Sequence, residues 1–427
     1  MAPISKRVRA VTPSPTLEIS ETVTELRSAG VHVHDLGLGE ADYPAPRAAC
    51  EALAELALGG MSHYTPAQGH NELRCAVSRW LNRMFYHQTS GAEYVPSYGP
   101  GDIVVSVGSK HLQYSSVLAL CNPGDEVIVI SPYWVSYPDV IRLAGATPVV
   151  VPTHAEEGFL PPIERIAAAI TDRTRLIFLN SPSNPTGQVW PHEHINALCE
   201  LVLSHDDLYV LSDEIYGELL FGESVHISPV THSERMRRRT ILSTGLSKAY
   251  SMGGWRIGYA AIADAALMSA VRKVGANTIS SAPSMTQQAA VHALEARGRV
   301  SEMRVDFERR AKHLVDRLNN MGLDTLPPQG AFYAFADVSS LFGAKIAGRT
   351  LETNADVALA MLRDSHVAAV SGRAFGDDHH VRFSYVRTLP ELDAACDALE
   401  AFVLRHRRSR VATRPVQASP RMQPAPA

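Results

Sequence analysis

The sequence predicts an α/β protein, with a largely parallel central sheet flanked by helices and a smaller α+β domain beside it. Three observations predict this. Short β-branched or apolar runs recur through the middle of the chain, most of them separated by stretches of helical periodicity, the alternation that builds βαβ units. Beyond residue 300 the pattern changes to long helical segments between isolated strands. With 427 residues, 45% of them hydrophobic, the chain has length for more than one domain and apolar material for a large core.

In chain order, the first run is Val104–Val107. The helical stretch Lys110–Leu120 comes next and stops at Asn122-Pro123-Gly124, where proline and glycine end a helix. Glu126–Ile130, Arg175–Leu179, Leu208–Leu211 and Thr240–Ser243 are further runs of strand length. Ser301–Met321 and Asn354–Ser365 read as helices, and Gly330–Ala336 and Val381–Val386 as strands. The segment before about residue 50 is expected to complete this smaller domain. From Arg405 to Ala427 the chain has six arginines, no acid and little that packs, which predicts a basic, disordered tail.

Composition excludes several classes of function. Lys and Arg total 40 against 44 Asp and Glu, a net charge of −4, which argues against a nucleic-acid or membrane-surface binder. No apolar run approaches the ~18 residues of a membrane span, and Lys6, Arg7 and Arg9 have no apolar stretch behind them to form a secretory signal. The five cysteines are scattered and none stands in a C-x-x-C, so they read as reduced thiols of a cytoplasmic protein. No metal is expected. Asp377-Asp378-His379-His380 reads as a charged turn, because adjacent side chains seldom converge on one ion, and His192-Glu193-His194 lacks the H-E-x-x-H spacing. Gly37-Leu38-Gly39-Glu40 lacks the third glycine of a dinucleotide loop.

The residues just after each run carry the chemistry. Val107 is succeeded by Gly108-Ser109-Lys110, Ile130 by Ser131-Pro132-Tyr133-Trp134, and Leu179 by Asn180-Ser181-Pro182-Ser183-Asn184-Pro185. Leu211 is succeeded by Ser212-Asp213-Glu214-Ile215-Tyr216, and Ser243 by Thr244-Gly245-Leu246-Ser247-Lys248. Open α/β sheets bind ligands at the carboxyl ends of their strands, so these five ends place an active-site inventory on one crevice. Lys248 comes just after a buried strand, and Arg256 in Gly254-Trp255-Arg256-Ile257-Gly258 lies one short loop away, where a guanidinium grips a phosphate bidentately. An amine beside such an arginine suits Schiff-base chemistry on a pyridoxal cofactor. Asp213 alone reads as a helix N-cap or a strand-end acid. Paired with Lys248, it reads as the carboxylate that keeps a pyridine nitrogen protonated.

With these residues in place, the sequence resembles the class I/II, fold-type I pyridoxal-phosphate aminotransferases. Within them it is similar to the aspartate-aminotransferase branch that carries Pro-Tyr-Trp-Val-Ser-Tyr-Pro, here Pro132–Pro138. The resemblance covers about residues 5–404. It implies that Lys248 forms the Schiff base with the cofactor, that Asp213 pairs with the pyridine nitrogen, and that Tyr216 and Asn184 bond the ring's phenolic oxygen. Trp134 would stack on the ring face. Gly108, Ser109, Ser247 and Arg256 would form the phosphate cup, the first two at a helix N-terminus that suits an anion. Arg382 would grip the substrate α-carboxylate, with Asn184 and the backbone at Gly39 beside it. Tyr64 would reach the phosphate of a neighbouring subunit, making the active unit a homodimer. Lys110, with Ser14 and Thr16 at the entrance, favours a dicarboxylic substrate. The expected division is an N-terminal arm and part of the small domain over 1–49, a large cofactor-binding domain over 50–300, a small domain over 301–404 and the tail over 405–427.

The implied reaction moves an amino group between an L-amino acid and a 2-oxo acid in ping-pong fashion. Elimination, replacement, cyclisation or oxidation by a pyridoxal-phosphate enzyme of specialised metabolism is the alternative, because all begin with the same lysine and aspartate. A sensor domain behind a DNA-binding module would need a helix-turn-helix, and only about 30 residues precede the Asp35–Asp42 box. Four departures from the family pattern touch the edges of the pocket: Ala41, Ser371, the stretch Ala276–Ala282 and an extra loop at about Thr89–Gly101.

Overall fold

A computed structural model describes residues 4–11, 17–89 and 94–411. Its largest element is a seven-stranded sheet. The strands are β1 (Ile103–Ser106), β2 (Glu126–Ser131), β3 (Thr147–Pro152), β4 (Thr174–Asn180), β5 (Tyr209–Asp213), β6 (Thr240–Gly245) and β7 (Gly258–Ile262). Their order is β1-β7-β6-β5-β4-β2-β3. β7 is antiparallel to both neighbours and the other pairings are parallel, so six carboxyl ends lie along one edge. The five predicted runs are β1, β2, β4, β5 and β6. Periodicity missed the other two for different reasons. β3 is an edge strand largely open to solvent with proline near each end, and β7 is short, buried on both faces and built mainly of small residues.

Helix α1 (Leu17–Ser28) lies near the N-terminus, α2 (Asn71–Gln88) leads toward β1, and α3 (Ser109–Leu120) joins β1 to β2. α3 starts at Gly108, whose φ of +96° is open to glycine and costly for other residues, and it ends at Cys121 before Asn122-Pro123-Gly124. α3 packs beneath the sheet through Leu112 and Val117, against Val104, Val129 and Ala260.

The later part of the chain holds α4 (Arg297–Asn320), β8 (Tyr333–Asp337), α5 (Asn354–Ser365), β9 (Val370–Ser371), β10 (His380–Ser384) and α6 (Leu389–Val411). The three strands form an antiparallel sheet in the order β9-β10-β8. The expected strand at Gly330 begins three residues later. Gly330 instead presses on Leu219, where a Cβ would lie 2.5 Å from its carbonyl, and Ala331 is held at φ +61°. His34–Asp35 pairs in parallel with Val367–Ala368, tying the N-terminal segment to this part of the molecule. The Asp377 carboxylate closes the charged turn by accepting from the His379 and His380 amides and the His380 ring.

The tail does not begin at 405. α6 continues to Val411, and Asp364 of α5 pairs with Arg405 and His406 at 2.8 and 3.2 Å. No helix among the described residues is long and apolar enough to cross a membrane.

Candidate active site

A cavity of about 600 Å³ opens at the carboxyl ends of the large sheet. Asp213 ends β5 inside it, 4% exposed. Its Oδ2 accepts hydrogen bonds from Tyr137 Oη (2.7 Å) and Gln113 Nε2 (2.8 Å). Burial pushes the carboxyl up to about 6, against the pull of these donors, the Ile215 amide and the charge of Lys248. An ionised carboxylate in this place calls for a cation.

Lys248 stands on the turn after β6. That turn is drawn tight because Gly245 meets the next strand so closely that a Cβ would lie 2.8 Å from the Ile257 carbonyl. Nζ donates to the Gly39 carbonyl and lies over the rings of Phe332 and Tyr216, 5.6 and 5.9 Å from their centroids. Tyr216 Oη contacts Tyr333 Oη at 3.1 Å, and burial followed by Tyr333 raises its phenol well above the ordinary range. Trp134 faces Lys110, whose Nζ is 4.7 Å from the ring centroid, a cation–π contact. Burial lowers the Lys110 ammonium, and Arg256 and Lys248 add to the effect.

At the other end of the cavity the start of α3 forms a cup. No side chain caps its first amides, which leaves N–H groups and the positive end of the helix dipole for an anion. Arg256, itself at φ +57°, donates to the Gly253 and Val107 carbonyls at 2.8 and 3.0 Å. Its guanidinium lies against Gly108, where a Cβ would come within 2.6 Å of Nη2. Ser109 and Ser247 line the same end.

Arg382 on β10 is 6% exposed. It donates to Asn184 Oδ1 and to the Gly37 carbonyl, both at 2.9 Å, and its guanidinium carbon lies 4.2 Å from the Tyr333 ring centroid. Among the described residues no carboxylate pairs with it, and its Nε has no hydrogen-bond acceptor. A buried cation without an anion is expensive, so this is a place for a ligand carboxylate.

Twelve of the residues singled out in the sequence line this one cavity: Gly39, Gly108, Ser109, Lys110, Trp134, Asn184, Asp213, Tyr216, Ser247, Lys248, Arg256 and Arg382. Tyr64 does not, and is 91% exposed. The Gly37 carbonyl accepts from Arg382 and the Gly39 carbonyl from Lys248, and Gly39, expected beside the substrate carboxylate, lines the cavity. Ser14 and Thr16 lie outside the described residues, as does part of the loop at 89–101. Sequence reasoning missed Tyr333, Phe375 and the α1 residues Ile19, Val23 and Arg27 on the cavity wall, and the second-row pair Gln113 and Tyr137. Of these only Tyr137 carried a signal, as part of the Pro132–Pro138 motif.

The fold and the cavity define an α/β enzyme whose ligand carries an anion at one end and brings a cation to a buried carboxylate. Comparison with known proteins makes this specific. Residues 31–399 match the model of aminotransferase class I and II. The bifunctional aspartate aminotransferase and glutamate/aspartate-prephenate aminotransferase of Petunia hybrida is 39% identical over 93% of this chain and 82% of its own. Among solved structures, the aspartate aminotransferase of Rhizobium meliloti superposes with a TM-score of 0.88 at 32% identity, covering 95% of this chain and 100% of the other. That of Thermus thermophilus with maleate superposes at 0.84 with 36% identity, covering 94% and 100%. The chain belongs to the class I and II aminotransferase family. It is a pyridoxal-phosphate-dependent enzyme that transfers amino groups between amino acids and 2-oxo acids.

The residues present fit the cofactor. The cup beside Gly108 is a cradle that a Cβ would fill, and it offers amides, hydroxyls and a guanidinium to a phosphate. Asp213 offers a buried anion to a ring cation, and Lys248 a primary amine between the two ends.

Proposed function

We propose that this aminotransferase takes aspartate or glutamate as one of its two substrates and works as a cytoplasmic homodimer by a ping-pong mechanism. The observation that carries the substrate reading is the pair of cations on one cavity, Arg382 without a carboxylate and Lys110 above Trp134. One carboxylate of a diacid meets each. The relatives named as aspartate aminotransferases, and the solved one with maleate, support the same reading.

In this reading Gly108, Ser109, Ser247 and Arg256 hold the phosphate, Trp134 covers the ring face, and Tyr216 and Asn184 bond the phenolic oxygen. Asp213 keeps the ring nitrogen protonated. Tyr64, exposed on this chain, reaches the phosphate in a second copy. The bound cofactor supplies the electron sink that acidifies the substrate α-hydrogen. Arg382 fixes the α-carboxylate and so aims the Cα–H bond. Lys248 Nζ would act as the general base that takes the proton from the substrate Cα and holds it for redelivery.

The test is a single-turnover reaction of the holoenzyme with individual L-amino acids and no oxo acid. Aspartate or glutamate is expected to give one equivalent each of pyridoxamine phosphate and the matching oxo acid. Many turnovers with the cofactor still as pyridoxal phosphate, or a faster reaction with an apolar amino acid, would overturn the proposal.

Two substitutions probe the ends of the site. Lys110→Met removes a charged partner worth about 1.5–3 kcal/mol. It should lower kcat/KM for aspartate by roughly 10- to 100-fold while leaving alanine nearly unchanged. Because the Lys110 ammonium is lowered, preference for the diacid should fade at a pH below the ordinary lysine value as the pH rises. Gly108→Ala puts a methyl on the Arg256 guanidinium at a positive φ. It should weaken cofactor retention by about tenfold or more and cost about 1–2 kcal/mol in stability, read by dialysis against buffer and by urea denaturation.

A further inference from the structure

Both working cations rest on one short strap of backbone. Gly37 O accepts from Arg382 Nη2 at 2.9 Å, and Gly39 O accepts from Lys248 Nζ. The strap leaves regular structure just before these residues. His34 N bonds His366 O, Leu36 N bonds Ala368 O, and Ser384 N bonds Leu36 O at 2.7 Å. There the ladder ends. The next amide, Gly37 N, donates to the Asp35 carboxylate at 3.1 Å. The other oxygen of that carboxylate takes Arg27 Nη2 of α1, also at 3.1 Å. Arg387 Nε reaches the Asp35 carbonyl at 3.4 Å.

We propose that Asp35 is a positioning residue for the reaction, setting the strap 37–39 so that its carbonyls orient Arg382 and receive Lys248. Asp35 stands on the cavity wall beside the strap, and its part in the reaction runs through the Gly37 amide. Its side chain is 13% exposed, so its bond to the Gly37 amide is charge-assisted and little screened. Arg27 is 51% exposed, and an ion pair to so exposed a group contributes little. Its part is to keep the Asp35 carboxylate turned inward while α1 lines the same cavity. Without the Asp35 anchor, Gly37 is free to turn, and the Arg382 guanidinium loses one of its two hydrogen-bonded supports. The substrate carboxylate then meets an arginine that must be reoriented on binding, a cost that appears in KM more than in kcat.

The inference rests on the reading of Arg382 as the carboxylate clamp, and the experiment separates the two. Holoenzyme variants Asp35→Ala, Asp35→Asn, Arg27→Met and Arg382→Gln are compared by steady-state kinetics and by affinity for the non-reacting diacid maleate. Asp35→Ala is expected to raise KM and the maleate Kd together by about tenfold, with kcat within about threefold. Asp35→Asn keeps an oxygen for the Gly37 amide and should recover most of that loss, while Arg27→Met should shift both by no more than about threefold. If Arg382→Gln leaves maleate binding intact, the clamp reading fails and the inference with it. If Arg382→Gln weakens maleate but Asp35→Ala does not, or if Asp35→Asn is as impaired as alanine, Asp35 does not position the strap and the clamp reading stands alone. A fall in kcat alone, with unchanged maleate affinity, also overturns it.

Discussion

Lys248→Ala is expected to lower kcat by about 10⁴-fold or more, because in the proposed mechanism it removes both the amine that would bind the cofactor and the base that would move the α-proton. Little stability should go with it. The lysine is fixed by its strand turn, and its amine contributes one hydrogen bond, to Gly39, so the variant should fold and still hold cofactor through the cup at Gly108. Because Lys248 draws the Asp213 carboxyl down, its loss should also raise that group further in the cofactor-free protein. Borohydride reduction of the wild-type holoenzyme should fix the cofactor mass on the peptide containing Lys248, and reduction of the variant should fix it nowhere. Activity within tenfold of wild type, or a labelled peptide from elsewhere in the chain, would remove Lys248 from the mechanism.

The candidate site was legible where it is local. Lys248, Asp213, Trp134 and Gly108 each lie at or within a few residues of a strand's end, and a parallel sheet brings such ends together whatever the loops do. Residues from the later sheet are another matter. Tyr333 meets Tyr216 across 117 positions, and nothing near it in sequence distinguishes it from any tyrosine in an apolar strand. Gln113 reads as one polar position on a buried helix, and its bond to Asp213 depends on how α3 lies against β5. The part of Gly37 was hidden for a similar reason, since only packing decides which carbonyl of the strap Arg382 meets. At the chain's end, composition predicted a tail from Arg405, whereas α6 runs on to Val411 and Arg405 meets Asp364, 41 residues away in sequence. Local motifs thus carried the chemistry, while long-range packing carried its orientation.

Asp213→Asn should have opposite effects on catalysis and on the stability of the cofactor-free protein. In the proposed holoenzyme the carboxylate would hold the ring cation, which the neutral amide could not. Loss of so direct an electrostatic contribution should lower kcat by roughly 10²- to 10³-fold. In the cofactor-free protein the same carboxylate is buried among Tyr137, Gln113 and the Ile215 amide, with its pKa raised from 3.8 to about 6. Folding therefore favours the protonated acid. That stabilisation is complete below about pH 4 and is lost as pH rises through about 6, above which ionised Asp213 costs up to about 3 kcal/mol. Asparagine does not titrate. Urea denaturation of the two cofactor-free proteins should show the variant gaining on wild type between about pH 4 and 6, then a constant advantage at higher pH. Parallel stability curves across that range would mean that the Asp213 carboxyl is not raised by burial. A gain in stability with unchanged kcat would mean that the carboxylate is buried for some purpose other than the ring cation. A slower but more stable variant would show that the fold gives up stability at Asp213 to keep a charge where the reaction uses it.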